Sequence, residues 1–100
     1  MDDIERIARR IKLHDMRVLI AVVEAGSMHK AAERLRTSQP AISRTIADLE
    51  HSVGVRILER SPRFIQPTQY GRVLVKRGTA AFDEFRQGVK DIVSLGGWAI

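Results

Sequence analysis

The chain has 100 residues, of which 44% are hydrophobic and 29% charged, with a formal net charge of +5 and no cysteine. That is one domain with a modest core. Disulfides and cysteine-based metal sites or catalysis are excluded, no apolar run reaches the roughly 18 residues a membrane span needs, and the opening MDDIERIARR lacks the apolar core of a signal peptide, so a cytoplasmic protein is expected. The basic balance points to a polyanion, although an acidic protein or an anionic membrane would also suit it.

The positive charge is unevenly placed. Residues 1–26 hold five Lys/Arg and five Asp/Glu, residues 27–66 seven and four, and residues 67–100 five and three. The excess therefore falls in the middle and the C-terminal third.

In chain order, Ile4, Ile7 and Ile11 recur at helical spacing behind Asp2 and Asp3, which predicts a short amphipathic helix. HDMRVLIAVVEAG predicts a firmer one, with Met16, Leu19, Ile20 and Val23 as its core stripe and Gly26 as its stop. Ser27 is placed to cap a third helix, MHKAAERL, whose Met28, Ala31, Ala32 and Leu35 share one face. The two small alanines let another helix cross at close range. Only Arg36 and Thr37 separate it from a new cap at Ser38. The next helix runs from 39 to 53 and buries Ile42, Ile46, Leu49 and Val53. Pro40 supports its start, because a first-turn residue needs no N–H for an intrahelical bond. The opposite side carries Gln39, Pro40, Ser43, Arg44 and Ala47.

After Gly54, the stretch VRILERSPRFIQPT is rich in β-branched residues and broken by Ser61-Pro62, which predicts a small hairpin. Thr68 then caps a long helix to about residue 95. Leu74, Gly78, Ala81, Phe85, Gly88, Ile92 and Leu95 alternate spacings of four and three, broadened by Val75, Phe82 and Val89. This is more apolar face than one small domain covers, so a partner helix is implied.

Two short helices, a tight turn and a hairpin make a winged helix-turn-helix, mainly α, followed by a long dimerisation helix. Ala31-Ala32, Leu35, Ser38-Gln39-Pro40-Ala41, Ser43-Arg44, Leu49-Glu50, Gly54-Val55, Arg60 and Thr68 with Gly71 carry a resemblance to the DNA-binding region of LysR-type bacterial transcriptional regulators. Leu58 stands where that family usually has Phe, and Pro67 where it often has Leu. The resemblance implies a winged domain over 1–67, with 1–13 as an N-terminal extension, and a linker helix over 68–95 that pairs protomers. It also implies a 96–100 tail. The effector-binding domain of the family is absent from these residues, and an excised fragment is the expectation.

The same resemblance puts helix 39–53 in the major groove and the hairpin over the backbone or minor groove. The residue chemistry agrees with that placement. Gln39 can bond an adenine edge bidentately, Pro40 and Ala47 offer apolar contact to a thymine methyl, and Ser43 can bond a base or a phosphate. Arg44 can fork onto guanine or grip a phosphate. Thr37 and Ser38 bring hydroxyls and N–H groups to a helix N-terminus, which attracts anions. Ser27, His29 and Lys30 at the start of the third helix, and Arg60, Ser61 and Arg63 in the wing, complete the DNA-binding set. Arg63 is placed for a minor groove. Each has a plainer reading as well: Ser38 as a cap alone, Lys30 and Arg44 as solvated charges, Arg60 as a bridge within the wing.

The expected partner surface on the long helix comprises Leu74, Val75, Gly78, Ala81, Phe82, Phe85, Val89 and Ile92. His14, His29 and His51 lack metal-ligand spacing, and no phosphate loop or catalytic motif is present. No enzyme activity, metal or cofactor is expected. The expected function is sequence-specific binding of a pseudopalindromic double-stranded operator by a homodimer. Two rivals remain: a molybdate-type regulator domain, and a winged-helix protein-interaction module that never meets DNA.

Overall fold

Helix starts and stops fall where capping chemistry puts them. The structure, a computed structural model, describes residues 2–61 and 63–97. The readings that touch Met1, Pro62 and tail residues 98–100 lie outside the described residues. Helix α1 covers Asp2–Arg10 and carries exposed ion pairs Arg6–Asp3 and Arg9–Glu5. Ile11, expected on its stripe, follows the helix and packs against the core, while Ile4 is 65% exposed.

Helix α2 (Leu13–Ala25) stops at Gly26, whose N–H bonds the Val22 carbonyl at 2.9 Å. Helix α3 (Met28–Leu35) begins where the Ser27 hydroxyl accepts the Lys30 N–H, at 3.0 Å. Helix α4 (Gln39–Val53) begins where the Ser38 hydroxyl accepts the Ala41 N–H, at 3.2 Å. Between them Arg36 adopts φ 55°, the left-handed conformation, so that its own N–H and that of Thr37 turn back onto α3 carbonyls. That backward closure lets α4 leave at a sharp angle after so few residues.

The core consists of Met16, Val18, Leu19 and Val22 from α2, Ala31 and Ala32 from α3, Ile42, Ile46 and Leu49 from α4, and Ile57 with Leu58 beyond. The α2 stripe differs from expectation. Val18 and Val22 are fully buried, whereas Ile20 and Val23 are only half-buried. The reason is topological: α2 packs against α3, α4 and α5 together, so more than one face is covered.

Strands β1 (Leu58–Arg60) and β2 (Ile65–Pro67) pair antiparallel, with Glu59 opposite Gln66. The wing is tied to α4 by one carboxylate. Glu50 Oε2 accepts the N–H of Ile57 at 2.8 Å and that of Leu58 at 3.3 Å. Removing it leaves two backbone donors beside fully buried side chains without their acceptor. Glu50→Ala is therefore expected to lose about 2 kcal/mol of stability, with Glu50→Gln losing less. An unchanged urea midpoint for the alanine variant would show that the carboxylate is not the wing's anchor.

Helix α5 spans Gln69–Ser94, and its N-terminus is capped by Thr68, whose hydroxyl accepts the Gly71 N–H at 3.1 Å. Its first half lies on α2: Leu74, Val75 and Phe82 pack against the core, and Gly78 is buried beside Met16 and Ile20. Arg17 stacks over the Phe82 ring, 4.7 Å from its centroid. The second half leaves the body, with Phe85 58%, Val89 59% and Ile92 54% exposed. The apolar face expected to meet a partner is thus divided. Leu74, Val75, Gly78 and Phe82 are engaged within the protomer, because α2 reaches them first. Phe85, Val89 and Ile92 remain open.

Candidate nucleic-acid interface

The starts of α3 and α4 lie side by side, which brings the expected contact residues into one region. Gln39 Nε2 lies 3.3 Å from His29 Nδ1, linking the first turn of α3 to the first residue of α4. His29 Nε2 in turn lies 2.8 Å from Glu33 Oε1. His29, Lys30, Thr37, Ser38, Gln39, Pro40 and Arg44 are exposed, and Ser27 and Ser43 half-buried. Ala47 also faces solvent, whereas Ile42, Ile46 and Leu49 on the other side of α4 are buried. Helical periodicity alone separates these faces, and the separation holds along the helix.

The cap hydroxyls keep hydrogen-bonding capacity beyond capping. A serine hydroxyl has two acceptor lone pairs and one proton. Accepting the Lys30 and Ala41 N–H groups leaves the protons of Ser27 and Ser38 able to donate to a phosphate oxygen. Thr37 differs from expectation: its N–H bonds the Ala32 carbonyl at 3.0 Å, so only its hydroxyl can serve an outside anion. The left-handed Arg36 imposes that loss.

In the wing, Arg60 and Arg63 are exposed. Ser61 has another occupation from the one expected of it. Its hydroxyl donates to the Phe64 carbonyl at 3.2 Å and accepts the N–H groups of Arg63 and Phe64, which uses its single proton. Ser61 shapes the tip that carries Arg63. Neighbouring Phe64 is 50% exposed.

Charge is disposed in keeping with this. Arg6, Arg9 and Arg86 are held by carboxylates on their own helices, α1 and α5. Lys30, Arg44, Arg60 and Arg63 make no ion pair among the described residues. Of the acids in the same region, Glu50 is turned inward onto the wing backbone, while Glu33, Asp48 and Glu59 are exposed. Exposed cations at the start of α3, on the open side of α4 and in the hairpin give this region positive charge that a polyanion could meet.

Sequence reading did not identify Glu33 as part of this region, nor the bond between His29 and Gln39. The i,i+4 spacing of His29 and Glu33 was a usable signal for the first. The second joins residues of different helices, and only the crossing of α3 and α4 creates it.

The family model described as "Bacterial regulatory helix-turn-helix protein, lysR family" matches residues 13–72. The HTH-type transcriptional regulator PcaQ of Agrobacterium fabrum is 36% identical over 86 residues, covering 86% of this chain and 28% of PcaQ. The chain thus spans little more than a quarter of that relative's length. In solved structures, the protein of the BenM_DBD/catB site 1 DNA complex aligns with TM-score 0.81 and 30% identity, over 90% of this chain and 100% of that one. The protein of the CbnR_DBD–DNA complex aligns with TM-score 0.75 and 35% identity, over 85% and 99% respectively. The family match begins at the first residue of α2, so α1 lies outside it.

Proposed function

This chain belongs to the lysR family of bacterial regulatory helix-turn-helix proteins, and on that footing we propose that it is the DNA-binding part of a transcriptional regulator. It binds a double-stranded operator as a dimer. Helix α4 enters the major groove with Gln39, Pro40, Ser43 and Arg44 towards base edges and adjoining phosphates. Ser27, Lys30, Thr37 and Ser38 hold the backbone beside it, and the wing carries Arg60 and Arg63 to the flanking groove. The observation that carries this reading is the open α4 face, where Arg44 stands exposed and unpaired among small and hydrogen-bonding residues. Its relatives and structural neighbours are transcriptional regulators and DNA complexes, which supports the same conclusion.

Two protomers related by a two-fold axis require a site with two related halves. Control by a small effector would belong to parts of a longer protein, as in the family.

A gel-shift series over salt tests the proposal. With about six phosphates neutralised, log K should fall against log salt with a slope of about −5. Retention on DNA that does not change with salt would favour the protein-interaction module. Arg44→Ala should weaken binding by about tenfold or more while helix content and sedimentation stay as they were. If Arg44 grips only a phosphate, the slope becomes shallower by about one and base preference is untouched. Full affinity in the alanine variant would remove Arg44 from the interface.

A further inference from the structure

We propose that His29 and Glu33 are positioning residues for Gln39, holding its carboxamide one way round so that it accepts adenine and rejects guanine. This rests on the reading of Gln39 as a base contact. A carboxylate oxygen accepts, and His29 Nε2 lies 2.8 Å from Glu33 Oε1, so the hydrogen of that bond sits on Nε2. Nδ1 is then the acceptor in the ring's other bond. The Gln39 atom facing it at 3.3 Å is Nε2, which donates. Turning the carboxamide over would set Oε1 against Nδ1, acceptor to acceptor. The chain Glu33–His29–Gln39 therefore has one consistent direction of hydrogen bonds, and it leaves Gln39 Oε1 pointing away from His29.

The consequence lies in the major groove. Gln39 Nε2 has two hydrogens, and the bond to His29 uses one. What remains is one donor beside one acceptor, the complement of adenine N7 and N6. Guanine offers two acceptors, N7 and O6, so a fixed Oε1 meets a second oxygen. A glutamine able to turn over would tolerate either purine better. His29, expected from sequence to be a backbone contact, becomes the residue that narrows the choice. Both His29 and Glu33 have side chains exposed by about two-thirds, at 69% and 66%, so changing them does not disturb the core.

The test compares duplexes that differ only at the base pair whose preference Gln39→Ala relaxes, using the full 100-residue chain and a random duplex as reference. His29→Ala should reduce adenine-over-guanine discrimination about tenfold, within the range a bidentate pair supplies, a far larger change than in its affinity for random duplex. Glu33→Ala should lose part of the discrimination, because the ring is then free to place its hydrogen on either nitrogen. His29→Asn should restore it, since Asn Oδ1 can accept from Gln39 Nε2 where Nδ1 did. In a Gln39→Ala background the effect of His29→Ala should vanish. Equal weakening of all duplexes by His29→Ala would overturn the proposal and make His29 a backbone contact. So would an undiminished effect in the Gln39→Ala background. Unchanged base preference in Gln39→Ala alone would remove the footing under both residues, while salt-dependent binding by the unaltered chain would still uphold the proposed function.

Discussion

Gly71→Ala is expected to cost about 3 kcal/mol or more, lowering the melting midpoint by roughly 15 °C in a domain of this size. A methyl group at position 71 would collide with the Ile57 carbonyl oxygen, and it would press on the Pro67 side chain at 3.1 Å. The carbonyl cannot easily yield. It accepts the Thr68 N–H at 2.9 Å and lies 3.3 Å from the Thr68 hydroxyl, the group that caps α5. Moving it therefore disturbs the cap of the long helix, and with it the junction between wing and body. The Ile57 side chain next to it is fully buried, which closes the other route of escape. A thermal melt by circular dichroism reads the loss directly. A midpoint within two or three degrees of the parent would mean that α5 can slide away from the Ile57 backbone at little cost, and the tight wing–helix junction would have to be abandoned.

Phe85→Asp is expected to keep the chain from pairing as proposed and to weaken binding to a two-half operator by about a hundredfold, the usual scale on which a tethered second site adds to the first. Phe85, Val89 and Ile92 follow one another at helical spacing on the part of α5 that leaves the body, and all three are more than half exposed. Ile20, Phe82, Phe85 and Val89 also line one groove between α2 and α5, so the open stripe continues into a concave surface. An apolar stripe of that length is costly to leave in water. A second α5 laid against it would bury it, whereas an aspartate at its centre would put two charges into the closed seam. The protomer should keep its fold, since the Phe85 side chain is not part of the core. Sedimentation equilibrium separates the outcomes. An unchanged mass would take Phe85 out of the interface, and affinity for the two-half operator equal to that of the parent would show that the two half-sites are not read together.

Much of this was legible because the relevant signals are local. Ser27, Ser38 and Thr68 cap α3, α4 and α5, and Gly26 and Gly54 stop α2 and α4, as their types and places foretold. Ile42, Ile46 and Leu49 are buried as their spacing required. What went astray involved more than one element. The α2 stripe was drawn for a helix with one buried side, but three helices surround it. Gly78 was placed on a seam between molecules, yet the neighbours it meets are Met16 and Ile20 of its own chain.

By itself, then, the sequence determined which stretches are helical, where each begins and ends, and which side of α4 must look outward. Capping, φ preference and a repeat of 3.6 residues act within a few bonds, so they can be read from a linear order. Only the tertiary structure decided how the long helix divides its apolar residues between its own body and open solvent. It alone turned Glu50 into the wing's anchor and set Gln39 against His29. Those outcomes depend on distances between residues far apart in the chain, and distances of that kind come into being only when the helices cross.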